Sequence, residues 1–314
     1  MIYRLFAVFF FGIIYLYPSQ PLRACDVCGS GIGGSYLGIL PNFSNNLVGI
    51  RHQFQRFDHS QPSAYSNGLG SRVVSDYMYR SDVWLRVYPS SRWQLLAFVP
   101  YQVHVREETK HTSTIQGVGD IRLRGLYSLV NTGDSIEGSW KHTLLLGGEI
   151  KLPTGPYQQR DPARLQRMPE IFQIGTGAYS FSPNVMYTLR HKAWGIFTDM
   201  QYTYNTTNEL QYRWGDQFFN SVRIFYWKNS NDGRHTILPS LGYSFEYFAP
   251  DTDNFFNMQI QKNGGMTSLL YFGLDYYSDK WMMQLFAQKP IMYELAEEVP
   301  VGQWRMGFSI GMFF

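Results

Sequence analysis

The sequence predicts an all-β protein, a transmembrane up-and-down antiparallel β-barrel of about 12 strands that follows a cleaved signal peptide. Three observations predict it. In the last twelve residues, Gln303 to Phe314, the apolar Trp304, Met306, Phe308, Ile310, Met312 and Phe314 alternate with Gln303, Arg305, Gly307, Ser309 and Gly311. Successive side chains of a strand point to opposite faces, so this segment has one apolar face and one polar or small face. Eleven further segments alternate, and the connections between them are mostly long and short in turn. The chain opens with Met1-Ile-Tyr-Arg4, the apolar run Leu5 to Tyr17, and Pro18-Ser-Gln-Pro-Leu-Arg-Ala24, which is the order of a secretory signal.

That opening run is shorter than the roughly 20 apolar residues of a membrane-spanning helix and is broken by Pro18 and Pro21. The reading is therefore a signal peptide over 1–24, a Cys- and Gly-rich periplasmic segment over 25–45, and a barrel over 46–314. Mean hydropathy is slightly negative at -0.26 although 17% of residues are aromatic. Alternating lipid-side and lumen-side residues give this mixture, so average hydropathy conceals the membrane. The formal charge of +3 and the lack of a Lys/Arg run give no footing for a nucleic-acid partner, and export argues against one. The roughly 290 residues that follow the signal peptide are long for one soluble domain but suit a single barrel.

The alternating segments span 46–56, 76–88, 92–106, 117–130, 140–154, 172–190, 192–204, 216–228, 235–248, 266–277, 280–293 and 303–314. In the third, Trp93, Leu95, Ala97, Val99, Tyr101, Val103 and Val105 oppose Gln94, Gln102, His104 and Arg106. The fourth sets Ile121, Leu123, Tyr127 and Leu129 against Asp120, Arg122, Arg124 and Ser128. In the tenth, Leu269 and Tyr271 blur the polar face, and the eighth has the least defined register. The connections 57–75, 107–116, 155–171, 205–215, 249–265 and 294–302 are long. Those at Pro89-Ser-Ser91, His191, Asn229 to Arg234 and Ser278-Asp279 are short, and 131–139 is intermediate. Short periplasmic turns and long extracellular loops give this rhythm when both termini are periplasmic and the strand count is even, with ten or fourteen as the neighbouring solutions. A soluble β-sandwich also alternates, but it leaves the aromatic-rich faces and the terminal Phe without an account and would expose them to water.

A terminal strand ending on an aromatic resembles that of an outer-membrane barrel, whose last strand and final Phe are what the insertion machinery recognises. The resemblance implies the outer membrane of a Gram-negative bacterium, the lipid bilayer as a partner, and insertion machinery that reads Phe314.

With the apolar face toward lipid, the opposite face carries Arg51, Arg80, Asp82, Arg86, Arg106, Asp120, Arg122, Arg124, Glu149, Lys151, Arg190, Asp199, Glu246, Asp275 and Arg305. A Lys or Arg on the lipid face near the midplane costs roughly 2–4 kcal/mol, which drives these residues inward. Two readings of the set stand side by side. One is a structural ion-pair network that fills a modest barrel; the other is a polar path whose arginine excess favours anionic or aromatic small solutes.

Gly117-Val-Gly-Asp-Ile-Arg-Leu-Arg-Gly-Leu-Tyr127 and Ile150-Lys-Leu-Pro-Thr-Gly155 resemble the G-x-G-D and K-x-P-T-G motifs of barrels labelled as the MetA pathway of phenol degradation. That family is distantly similar to the fatty-acid and aromatic-hydrocarbon transporters of the outer membrane. The resemblance implies passage of small, often hydrophobic molecules. Each motif also has a mechanical reading: Gly117 and Gly119 admit a bend or bulge with Asp120 facing the lumen beside Arg122, and Pro153-Thr-Gly155 ends a strand and starts a loop. The basic stretch Tyr157 to Arg167 in that loop either folds inward as a constriction or projects outward.

Cys25-Asp-Val-Cys28 has three readings in an exported chain: a local disulfide, a two-thiolate metal contact, and lipidation at Cys25, for which Leu22-Arg-Ala-Cys25 is a poor lipobox. The Gly-rich segment to Asn46 is either a tether or a plug at the periplasmic mouth. No cofactor is expected. Among His52, His59, His104, His111, His142, His191 and His235 no pair has catalytic or metal-ligand spacing, and G-x-S-x-G is absent. His59 and His111, on adjacent outer loops, are free to approach each other, but rim histidines are usually solvated. The reading is a channel for small solutes and not an enzyme, with adhesion, periplasmic metal handling and phospholipase-type catalysis as alternatives.

Overall fold

The computed structural model describes residues 45–62, 71–108, 111–132, 140–162, 165, 167–254, 258–259, 264–295 and 301–314. The signal peptide, Cys25, Cys28 and the Gly-rich segment lie outside the described residues.

Twelve strands form the wall. They are β1 (Leu47–Pro62), β2 (Ser71–Ser90), β3 (Trp93–Glu108), β4 in two segments (His111–Val118 and Arg122–Asn131), β5 (Trp140–Lys151) and β6 (Ser180–His191). The second half comprises β7 (Trp194–Asn205), β8 (Gln217–Tyr226), β9 (Thr236–Phe248), β10 (Gly265–Tyr277), β11 (Trp281–Leu295) and β12 (Val301–Phe313). Each pairs antiparallel with its sequence neighbours. The β12–β1 pairing, from Leu47↔Phe313 to Asp58↔Val301, closes the sheet and removes its edges.

Alternation decides which face is which. Ile50, Val83 and Leu285 are 53%, 54% and 55% exposed on the outer wall, whereas Arg51, Asp82 and Gln284 next to them are almost fully buried inside. The outer face is thus apolar and the inner face charged, the reverse of a soluble barrel. Trp93, Trp140, Trp194 and Trp281 each begin a strand that leaves the periplasmic end, and all four are exposed. Their rings pack on neighbours such as Tyr127, His191 and Tyr226 and form an aromatic girdle at that interface.

Three boundaries differ from the sequence expectation. The expected loop 57–75 is largely strand, because β1 and β2 stay paired from Phe57↔Asp76 to Pro62↔Ser71. A spanning strand needs only about 10 residues, so this paired stretch runs beyond the length that lipid requires and enforces, although Phe57 and Val74 are still buried on it. The expected loop 107–116 likewise contains the first segment of β4, paired with β3 from Glu108↔His111 to Tyr101↔Val118. Residues 172–179 are not strand; β6 starts at Ser180, and the preceding residues enter the lumen.

At the periplasmic end an apolar layer fills the interior. Leu47, Trp84, Leu96, Phe98, Leu126, Met186, Phe197, Phe225, Leu238, Tyr277 and Met282 are buried in one cluster, and Leu145 and Phe313 pack against it. Every one of the twelve strands therefore supplies at least one side chain to this floor.

Candidate functional site

The lumen is built in levels above that floor. The first is charged. Arg51 donates from Nε and Nη2 to Asp82 at 3.0 and 2.7 Å, and Arg80 donates to the other oxygen of the same carboxylate at 2.8 Å. Arg122 lies 3.8 Å from both Asp82 and Glu149, and Arg124 reaches Glu149 at 3.0 Å and Gln201 at 2.9 Å. The guanidinium groups of Arg51 and Arg122 both sit over the Phe98 ring, so the charged level rests on the apolar one. Across the barrel Arg305 holds Glu246 at 2.7 and 3.1 Å. Nearer the outside Arg106 forms a two-pronged pair with Asp76, both bonds 2.7 Å. Pairing with a carboxylate is the arrangement in which a buried arginine is tolerated, although Arg124 Nη1 makes no hydrogen bond here.

Of the charged residues named from the sequence, all are buried inside the wall except Arg190, which is half-buried with its guanidinium 4.4 Å above the Trp227 ring. Asp199 accepts from Asn184 at 2.6 Å, and Asp275 is fully buried opposite Gln284. Asp76 and Arg223 belong to the same interior but escaped the sequence reading. Asp76 sat at the assumed start of its strand, although the spacing 76, 78, 80, 82 would have found it. Arg223 lies in the strand of least defined register.

The two sequence motifs meet at one carboxylate. Between Tyr101↔Val118 and Phe98↔Arg122, β3 has two intervening residues and β4 has three, so a one-residue bulge interrupts β4 at Gly119–Ile121. The bulge turns Asp120 inward. Its Oδ1 accepts the Gly155 N–H at 2.9 Å, its Oδ2 accepts the Thr176 N–H at 3.0 Å and the Thr176 hydroxyl at 2.6 Å, and Lys151 Nζ lies 3.8 Å away. Thr154 completes the joint by donating to the Gly119 carbonyl at 3.1 Å and accepting from the Ile121 N–H at 2.9 Å. Glycine is required here by contact: a Cβ on Gly155 would lie 2.9 Å from Gly175 Cα, and one on Gly175 would overlap the Gly155 carbonyl.

This joint feeds the β5–β6 loop into the lumen. Residues 172–176 are buried without interruption. Gln102 donates to the Ile174 carbonyl at 3.1 Å and His104 Nδ1 to the Phe172 carbonyl at 2.9 Å, while Arg106 covers the Phe172 ring at 5.0 Å. Phe172, Ile174 and Met168 pack with Phe57, Met78 and Ile115. The inward part is therefore 172–176, with Met168. Within the basic stretch Arg160 and Arg167 stay exposed at the mouth, where charge keeps its water. There Arg167 pairs with Glu170 at 2.8 Å and the Tyr157 hydroxyl donates to Glu170 at 3.0 Å. Burial holds the Glu170 carboxyl above its ordinary value against the pull of Arg167 and Tyr157, and burial pushes the Tyr157 hydroxyl up to about 12.

Below the loop lies a cavity of about 100 Å³ whose lining mixes Arg80, Arg122, Lys151, His104 and Glu149 with Phe57, Met78, Ile174 and Phe219. At the rim His111 Nε2 and the Ser113 hydroxyl both bond the same oxygen of Asp161, at 2.7 and 2.5 Å. A hydrolase needs serine on histidine and histidine on the carboxylate in sequence, and this arrangement instead anchors the loop. No group of three or more His, Cys, Asp or Glu suited to hold a metal occurs among the described residues.

The family described as "Putative MetA-pathway of phenol degradation" matches residues 55–227, more than half of the chain, and that span includes both motifs and the inserted loop. The chain belongs to this family. No curated protein matches the sequence. Among solved structures, an outer membrane channel from Pseudomonas putida F1 is similar over 90% of this chain and 100% of its own, at 11% identity and a TM-score of 0.64. This likeness establishes the shared barrel fold. The translocator domain of autotransporter NalP from Neisseria meningitidis (11% identity, 86% of this chain and 88% of that one, TM-score 0.39) is a more remote match. So is the CymD monoaromatic hydrocarbon channel (9% identity, 95% and 99%, TM-score 0.35). Within the family match, the G-x-G-D and K-x-P-T-G stretches are the two halves of the Asp120 joint.

Proposed function

We propose that this family member is an outer-membrane channel for small solutes of aromatic or anionic character, which cross a lumen gated by the inserted loop above and the apolar floor below. The observation that carries the reading is the character of the interior. A barrel that served only as an anchor has no use for a loop held inside it over a cavity that combines buried cations with apolar side chains. Such a cavity suits a molecule with a hydrocarbon body and a polar or negative group. The residues proposed to line the path are Arg80, Arg122, Lys151, Glu149, Asp120 and Glu246 at the cavity, with Arg51, Asp82, Arg124, Arg305, Asp199, Asp275 and Arg86 below it and Arg106 above. Arg190 would stand near the exit.

An apolar constriction resists hydrated inorganic ions more than it resists an aromatic solute, so ion conductance should be small while aromatic solutes pass. Uptake of benzenesulfonate, permanently charged and aromatic, into vesicles containing the folded protein tests this. Entry faster than into protein-free vesicles is the supporting result. Equal entry, with the folded barrel confirmed by its heat-dependent gel shift, overturns it.

A further inference from the structure

The inward positions of β2 run from the cavity to the periplasmic end in the order Met78, Arg80, Asp82, Trp84, Arg86, Tyr88. At roughly 3.3 Å per residue, Arg86 stands about 20 Å along the strand from Arg80. Five other interior arginines each have a carboxylate: Arg51 and Arg80 have Asp82, Arg106 has Asp76, Arg124 has Glu149 and Arg305 has Glu246. Arg86 is different. It is 1% exposed, yet its Nε and Nη1 have no hydrogen-bond partner; the Tyr88 ring lies 5.3 Å from its guanidinium carbon, and the Tyr277 side chain is also within electrostatic reach. Its register partners, Leu47 on β1 and Leu96 on β3, are both members of the apolar floor, as is Trp84 two residues before it.

A buried guanidinium with unused N–H donors among apolar and aromatic side chains is costly to maintain. It contributes nothing to the ion-pair network that stiffens the wall. An anion that brings its own hydrocarbon body satisfies both halves of this environment, the donors with its oxygens and the floor with its ring. We propose that Arg86 is the recognition point in the apolar floor for the carboxylate of a small aromatic acid. The ring of the acid lies against the floor, and Arg86 sets the preference for charged over neutral aromatic solutes. This inference rests on the channel reading for the route by which the acid arrives.

Binding can be measured without transport. The full-length protein, folded in detergent, is titrated into para-fluorobenzoate and followed by fluorine NMR line broadening, with benzoate and the isosteric but uncharged benzamide as competitors. Benzoate should displace the probe and benzamide should not. Arg86→Gln should weaken binding by about tenfold or more, the loss that follows from one charge-assisted hydrogen-bonded contact, while Arg86→Lys retains most of it. Three results overturn the proposal: no binding to the wild type, displacement by benzamide as effective as by benzoate, or undiminished binding by Arg86→Gln. The first two need no variant, so the test stands even if Arg86→Gln fails to fold. Binding through Arg86 in a protein whose vesicles admit no benzenesulfonate would instead sink the channel reading and leave the site standing.

Discussion

Asp120 and Thr176, fifty-six positions apart, are joined by two hydrogen bonds to one carboxylate oxygen, from the Thr176 amide at 3.0 Å and its hydroxyl at 2.6 Å. Through that oxygen a bulge in the wall holds a loop in the lumen. The same carboxylate takes the Gly155 amide on its other oxygen, so the loop is held at both of its ends.

Asp120→Asn should release the loop and leave the barrel standing. Hydrogen bonds to a charged group contribute about 1.5–3 kcal/mol, and an amide cannot accept on both sides as the carboxylate does. Trypsin, cutting after the exposed Arg160 or Arg167, should nick the variant faster than the wild type, with no change in the heat-dependent gel shift. Equal nicking rates would show that Asp120 does not hold the loop.

Gly175→Ala should have the same phenotype by a different route, since its Cβ collides with the Gly155 backbone and backbone cannot move aside cheaply. Gly148→Ala is the control. Its Cβ meets the Ser182 carbonyl at 3.5 Å, an ordinary contact, and trypsin sensitivity should stay at the wild-type level.

The floor should be the main barrier to ions. Leu238 and Met282 are fully buried within it, and truncating each to Ala removes roughly 2–5 kcal/mol of packing. The double variant should conduct potassium chloride in a planar bilayer several-fold better than the wild type. Unchanged conductance would move the barrier to the inserted loop.

Loop docking should depend on pH through Glu170. Its folded-state value is raised, chiefly by burial, so the docked loop binds the proton more tightly than a released one. The contribution is fully present below the ordinary carboxylate value and is lost as pH rises through the raised value, weakening the docked state. Hydrogen exchange of residues 168–176, corrected for intrinsic rates, should show greater protection at mildly acid than at neutral pH. Glu170→Gln should flatten that difference.

Much of the wall was legible because a strand has period two and lipid enforces it. Ile50 beside Arg51 and Val83 beside Asp82 could take only one orientation, and strand count and closure followed from the alternating connections. The signal fails where lipid is absent. His111 to Thr114 is polar on both faces and reads as loop, though it pairs with β3. Phe172 and Ile174 alternate like a strand, but they are buried by insertion into the lumen and not by pairing. The floor was hidden in the blurs of the pattern. Leu95-Leu96-Ala97-Phe98 and Ile237-Leu238 are apolar on both faces because one face meets lipid and the other meets the opposite wall. The partnership of Asp120 with Thr176 had no local signal, since it joins segments that only the closed barrel brings together.

The decisive experiment is benzenesulfonate entry into vesicles carrying the folded wild type or the Leu238→Ala, Met282→Ala variant. A gated aromatic-solute channel predicts entry through the wild type above the protein-free rate, and faster entry through the opened floor. A folded barrel that admits no benzenesulfonate in either form would contradict it.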